Sequence, residues 1–129
     1  IGYVEFAYAR NSQLSYVRMQ NREGYFVMPS FESFETAAVQ GDWKQSNGYS
    51  VWLVDSPGKS AWPLIGASFI LLAQERQQAN RKVTRFFNWV FENGDATAKK
   101  LTYIPLPEAL KNDIRKYWVE NGIFKGREL

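Results

Sequence analysis

A chain of 129 residues fits one domain, and folding at this size buries roughly two-thirds of the unfolded surface. Sixteen Lys and Arg against thirteen Asp and Glu leave a net charge of +3, densest at Arg81-Lys82 and Lys99-Lys100, without the basic stripe or module that nucleic-acid binding calls for. With no Cys and no His, composition excludes disulfides, thiolate and imidazole catalysis, and metal sites built on either residue.

Residues 1–4 read as the end of a short strand that runs into a helical turn over residues 5–11. In residues 14–19, Leu14, Tyr16 and Arg18 alternate with Ser15, Val17 and Met19, the period of a strand. Asn21-Arg-Glu-Gly24 forms a turn in which Gly24 suits a positive φ, and residues 25–28 return as the second arm of a hairpin. Pro29-Ser30 opens a helix with Ser30 as N-cap; Phe31, Phe34 and Ala38 share one face, and Gly41 ends it. Residues 49–54 alternate again and close in the turn Asp55-Ser-Pro-Gly58.

Pro63 holds Trp62 extended and lacks a donor for a ladder. Gly66 and Ala67 predict close backbone approach, and residues 68–72 form a continuous apolar strand of the kind buried on both faces of a sheet. The longest apolar run, residues 64–73, is broken by Gly66 and Ser68 and falls short of the ~18–20 residues that span a bilayer. The chain starts with Ile1 and shows no signal peptide, which points to processing or to removal of a preceding part.

The C-terminal half is helical. Val83, Phe86, Phe87, Val90 and Phe91 recur at i, i+3, i+4, i+7 and i+8, an amphipathic stripe. Gly94 occupies the place of a left-handed C-cap, and Asp95 caps a shorter helix over residues 96–101. A connector over residues 103–106 leads to a last helix with Pro107 in its first turn and Leu110, Ile114, Tyr117 and Trp118 on its buried face. Gly122 stops it, and residues 123–129 lie on the surface. Phe86, Phe87, Val90, Leu110, Ile114 and Trp118 are expected in one core. The character of the chain changes near residue 62, where a second lobe or sub-domain begins.

Catalytic chemistry finds little support. The nucleophile elbow G-x-S-x-G is absent, and Gly66-Ala-Ser68 lacks its second glycine, so Ser68 reads as a close-packing residue. Glu5, Glu32, Glu35, Asp42, Asp55 and Glu75 could supply a carboxylate pair, but their spacing favours a solvated face. Phosphate cradles need converging backbone N–H groups, and neither G-x-x-x-x-G-K-[ST] nor G-x-G-x-x-G occurs. The helix starts at Pro29-Ser30-Phe31 and Asn93-Gly94-Asp95 could accept an anion, yet ordinary capping explains both. Helical spacing assigns Phe86, Phe87 and Phe91 to the core rather than to a stacking platform, with Trp89 the exception.

Three blocks carry a resemblance: Ile1-Gly-Tyr-Val-Glu-Phe-Ala-Tyr-Ala9; Trp62-Pro63 followed by Ser68-Phe69-Ile70-Leu71; and Phe86-Phe87, Trp89 and Gly94. In order and spacing they resemble the substrate-binding proteins of bacterial phosphate ABC transporters. Leu64 stands for the usual Ile and Asn88 for the usual Asp. Leu106-Pro107, Tyr117-Trp118 and the closing Gly126 to Leu129 resemble the end of the same family.

The resemblance implies an α/β, periplasmic-binding-protein-like, two-lobed fold of which this chain is the C-terminal portion. Residues 1–61 would complete the second lobe and residues 62–129 would return to complete the first. It further implies a non-enzymatic periplasmic receptor that binds inorganic phosphate and delivers it to a membrane permease, without a cofactor and without nucleic acid. The family holds its anion with early loops, a carboxylate and an R-x-x-x-S-G-T loop; that motif is missing here, so no residue of this chain is assigned to ligand. The alternative is an extracellular adhesive or structural relative of the same fold. A portion lacking its neighbouring strands would expose sheet edges and could self-associate through them.

Overall fold

A computed structural model describes residues 2–43, 49–73 and 75–123. The regular elements in it are α1 (Phe6–Asn11), β1 (Met19–Gln20), β2 (Phe26–Val27), α2 (Phe31–Val39), α3 (Gln77–Asn93), α4 (Asp95–Lys100) and α5 (Glu108–Glu120). Helix dominates, and among the described residues the single sheet is a two-stranded antiparallel ribbon.

The start of α2 follows directly from its sequence. Ser30 Oγ accepts from Ser33 N–H at 3.2 Å while Ser33 Oγ accepts from Ser30 N–H at 2.9 Å, a reciprocal cap that satisfies two donors a helix end leaves free. Phe34, Ala37 and Ala38 form its buried side. The helix ends at Gln40, and Gly41 follows for a steric reason. A Cβ there would stand 2.6 Å from Leu53 Cδ2 and 2.9 Å from Trp43 Nε1, the nitrogen that donates to Ala38 O at 2.6 Å.

The hairpin expected over residues 14–19 and 25–28 shrinks to two residues per arm, with Met19 opposite Val27 and Gln20 opposite Phe26. Gly24 takes φ +84°, as the turn demands. Residues 49–54 and 68–72, also expected as strands, join no ladder. Alternation marks two faces of an extended chain, but a strand exists only against a neighbour that takes its hydrogen bonds. The 68–72 segment is not buried in a sheet centre either: Phe69 and Ile70 are half exposed and Leu71 is 92% exposed. Gly66 has open space where a Cβ would stand, so no close approach occurs there, and Ser68 is exposed. Trp62 and Pro63 just before are buried.

Three packing centres replace the single core. Trp43, Leu53 and Leu110 form one, with Val51, Ile65, Leu106 and Ile114 against it. Phe34 anchors the second, edge-on to Phe6 at 5.0 Å and to Trp62 at 6.3 Å. In the third, Phe91 stacks flat on Trp118 with ring centroids 5.6 Å apart. Leu110 and Ile114 thus pack with Trp43, Val51 and Leu53, and Phe86 faces outward.

The α3–α4 junction also departs from expectation. Gly94 has φ −87°, so it is no left-handed cap; it is the N-cap of α4, and Asp95 is that helix's first residue. Glycine is required because a Cβ would meet Val90 O at 2.6 Å. Pro107 takes the N-cap position of α5, one residue before its first turn. Gly122 ends α5 at φ +67°. Residues 124–129 of the expected tail lie outside the described residues.

Candidate functional site

The six candidate carboxylates, Glu5, Glu32, Glu35, Asp42, Asp55 and Glu75, are all exposed, and among the described residues no acidic cluster suited to a metal forms. At the first anion candidate, Ser33 N–H is taken by Ser30 Oγ and Phe34 N–H by Ser30 O. The Glu32 carboxyl is held below the usual carboxylate range by its own backbone amide and then by the Ser30 hydroxyl. At the second, Gly94 N–H donates to Val90 O at 2.7 Å. The first is a capped helix start, whereas the second has no side-chain cap, its Gly94 N–H closing the end of α3.

Two polar centres went unread in the sequence. Asn21, buried in the hairpin turn, donates through Nδ2 to the carbonyls of Gly58, Lys59 and Ala61 at 3.0, 2.9 and 3.3 Å. Its Oδ1 accepts from Glu23 and Tyr25 N–H, and Glu23 Oε1 accepts from Gly58 N–H at 2.7 Å. The hairpin and the loop after Asp55 are thereby tied together. The sequence signal available was an Asn opening a turn, where its side chain bonds the backbone ahead of it.

The second centre joins α3, α4 and α5. Lys111 is 2% exposed, yet its Nζ reaches both oxygens of Asp95 at 2.8 Å, Phe91 O at 3.1 Å and Glu108 Oε2 at 3.4 Å. Arg115 donates from Nε to Asn88 Oδ1 at 3.0 Å and from Nη1 to Glu108 Oε1 at 3.1 Å. Arg115 first, then Lys111, hold the Glu108 carboxyl below its usual range. Every described buried side-chain nitrogen and oxygen has a partner. A network whose buried members are all satisfied fixes the geometry of this corner.

The large concavity of the molecule is apolar. An open groove of about 1690 Å³ runs between Phe34, Trp43, Leu53, Phe87 and Trp118, with residues 64–72 along it. Phosphate binding draws on several convergent donors, often charge-assisted, and among the described residues no Lys or Arg lines this groove. Its chemistry suits apolar side chains of another stretch of polypeptide. Among the described residues no helix is long and apolar enough to cross a membrane.

No family model matches the chain. It is nonetheless similar to curated substrate-binding proteins. The phosphate-binding protein PstS of Pasteurella multocida is 42% identical over 120 residues, 92% of this chain and 35% of that protein. The proteins of the same name from Xylella fastidiosa and Haemophilus influenzae are 43% and 40% identical over 92% of this chain, and 33% and 36% of their own length is covered. The chain is thus a relative, over nearly all its residues, of the phosphate-binding proteins, and it spans about a third of the length of the curated relatives it matches.

Proposed function

We propose that the chain is the C-terminal portion of a periplasmic phosphate-binding protein, the non-enzymatic receptor that hands phosphate to the membrane permease of an ABC transporter. The observation that carries this reading is the 42% identity to a phosphate-binding protein across 92% of the chain. In this reading residues 1–61 complete the second lobe of a two-lobed α/β fold and residues 62–129 return to complete the first. The apolar groove and the ladderless segment 68–72 support it, because both are what a sheet leaves behind when its other strands come from elsewhere in the polypeptide. The contribution of these residues is to build the lobes; the anion is held by residues beyond them.

Calorimetric titration of inorganic phosphate tests the proposal. The chain alone gives no specific heat. Mixed with the N-terminal two-thirds of the Pasteurella multocida relative, it restores one-to-one binding. Tight stoichiometric binding to the chain alone, or no binding in the mixture despite complex formation, overturns it.

A further inference from the structure

Three described helices end in the same hydrogen-bonded turn. At α1 the N–H groups of Gln13 and Leu14 donate to Arg10 O and Ala9 O. At α4 those of Thr102 and Tyr103 donate to Lys99 O and Ala98 O, and at α5 those of Gly122 and Ile123 donate to Val119 O and Trp118 O. Such a turn puts the residue after the C-cap in the left-handed region, here at φ +53°, +65° and +67°. Glycine fills that place in α5 and glutamine in α1. In α4 it is Thr102, whose branched Cβ makes a left-handed backbone costly. Strain of this kind persists only where the surroundings over-determine it, and here the restraint comes from the chain that follows. Ile104 and Leu106 each precede a proline, which confines them to extended backbone. Leu106 also packs on the Trp43, Leu53 and Leu110 centre, whereas Leu101 and Tyr103 on either side of Thr102 are more than half exposed.

We propose that residues 102–106 form a hinged strap along the groove, opening locally at Thr102 while Leu106 stays docked. Thr102, Tyr103, Ile104, Pro105 and Leu106 all line the groove. Opening breaks two bonds, Thr102 N–H to Lys99 O and Tyr103 N–H to Ala98 O, and lets Thr102 relax to a negative φ. The strain released offsets part of the cost, so this end of α4 opens more readily than it would with glycine in the same place. The stiff stretch from Ile104 to Leu106 cannot share the bend, which concentrates it at Thr102 and Tyr103. The groove thereby has one wall that moves, while Lys111 and Asp95 hold the neighbouring corner shut. Exchange on the chain alone reads this motion, so the inference is independent of phosphate binding.

The test is amide exchange of the parent chain against Thr102→Gly and Thr102→Ala. Glycine removes the left-handed penalty, and exchange at Tyr103 slows about fivefold, the net of that penalty and the extra freedom glycine regains on opening. Alanine keeps a Cβ and therefore the strain, so Tyr103 exchanges within about twofold of the parental rate. Low concentrations of urea separate a local opening from a global one, because the urea slope follows the surface exposed. In the parent, Tyr103 exchange is expected to be nearly flat in urea. A slope as steep as that of global unfolding overturns the proposal, as does a Tyr103 rate that Thr102→Gly leaves unchanged. Equal slowing by alanine and glycine overturns it too, since the effect would then belong to the threonine side chain and not to the backbone.

Discussion

Lys111 and Asp95 face each other across the corner where α3, α4 and α5 meet, with the ammonium 2.8 Å from the carboxylate and almost wholly buried while the carboxylate is half exposed. The asymmetry decides what each substitution does. Asp95→Ala leaves a buried cation with only Phe91 O and a longer contact to Glu108, and we expect a loss of about 1–3 kcal/mol, discounted for the exposed side. Lys111→Met removes the cation and leaves a carboxylate that water can solvate, so it costs less. Urea denaturation of both variants checks the order; the reverse order would place Lys111 in solvent.

Glu108 supplies a pH dependence with a definite sign. Its pKa in the folded chain lies below the ordinary 4.5, so the folded state binds fewer protons than the unfolded chain in that window. The stabilisation is present above pH 4.5 and is lost as pH falls through the folded value. Glu108→Gln should therefore melt lower than the parent at neutral pH, and the two thermal transitions should converge on acidification. A gap that persists at low pH would point to packing rather than charge.

Gly94 and Gly66 make a matched pair of tests. Gly94→Ala forces a Cβ onto Val90 O and should cost about 1–3 kcal/mol by overpacking. Gly66→Ala meets nothing and should lie within about 0.5 kcal/mol of the parent. Chemical denaturation of the two variants side by side distinguishes them, and equal effects would refute the assigned role of Gly94.

Asn21→Ala removes the donor that three loop carbonyls share and should cost about 1–3 kcal/mol. Amide exchange is expected to accelerate at Gly58, whose N–H bonds Glu23, and at Tyr25, whose N–H bonds Asn21 itself. Unchanged protection at both would show that the hairpin and the loop are held together by something else.

Ile70 separates the chain alone from the assembled receptor proposed for it. Half exposed here, it should accept Asp at a cost within about 0.5 kcal/mol. In complex with the N-terminal two-thirds of the Pasteurella multocida relative, where residues 68–72 would gain sheet neighbours under that proposal, the same substitution should abolish assembly. Complex formation by Ile70→Asp at parental affinity would remove the segment from the sheet.

The sequence by itself determined what acts within about one helical turn. Ser30 caps α2 because its hydroxyl meets an amide three residues on; Gly24 and Gly122 take positive φ because only glycine does so without steric strain; and the three blocks of the family resemblance are contiguous residues. Tertiary structure alone decided the rest. Residues 49–54 and 68–72 have the pattern of strands, but a ladder also depends on who lies alongside, and no local pattern encodes an absent neighbour. The stripe of α3 is legible as apolar, yet which part meets Trp118, which part lines the groove and which part faces out depends on where α5 lands. Gly94 serves closeness rather than handedness, and Lys111 is buried beside Asp95, sixteen residues away in sequence, because two helix ends converge there. Contacts of that kind arise from the path of the whole chain, whereas caps and turns are settled by residues that are already neighbours.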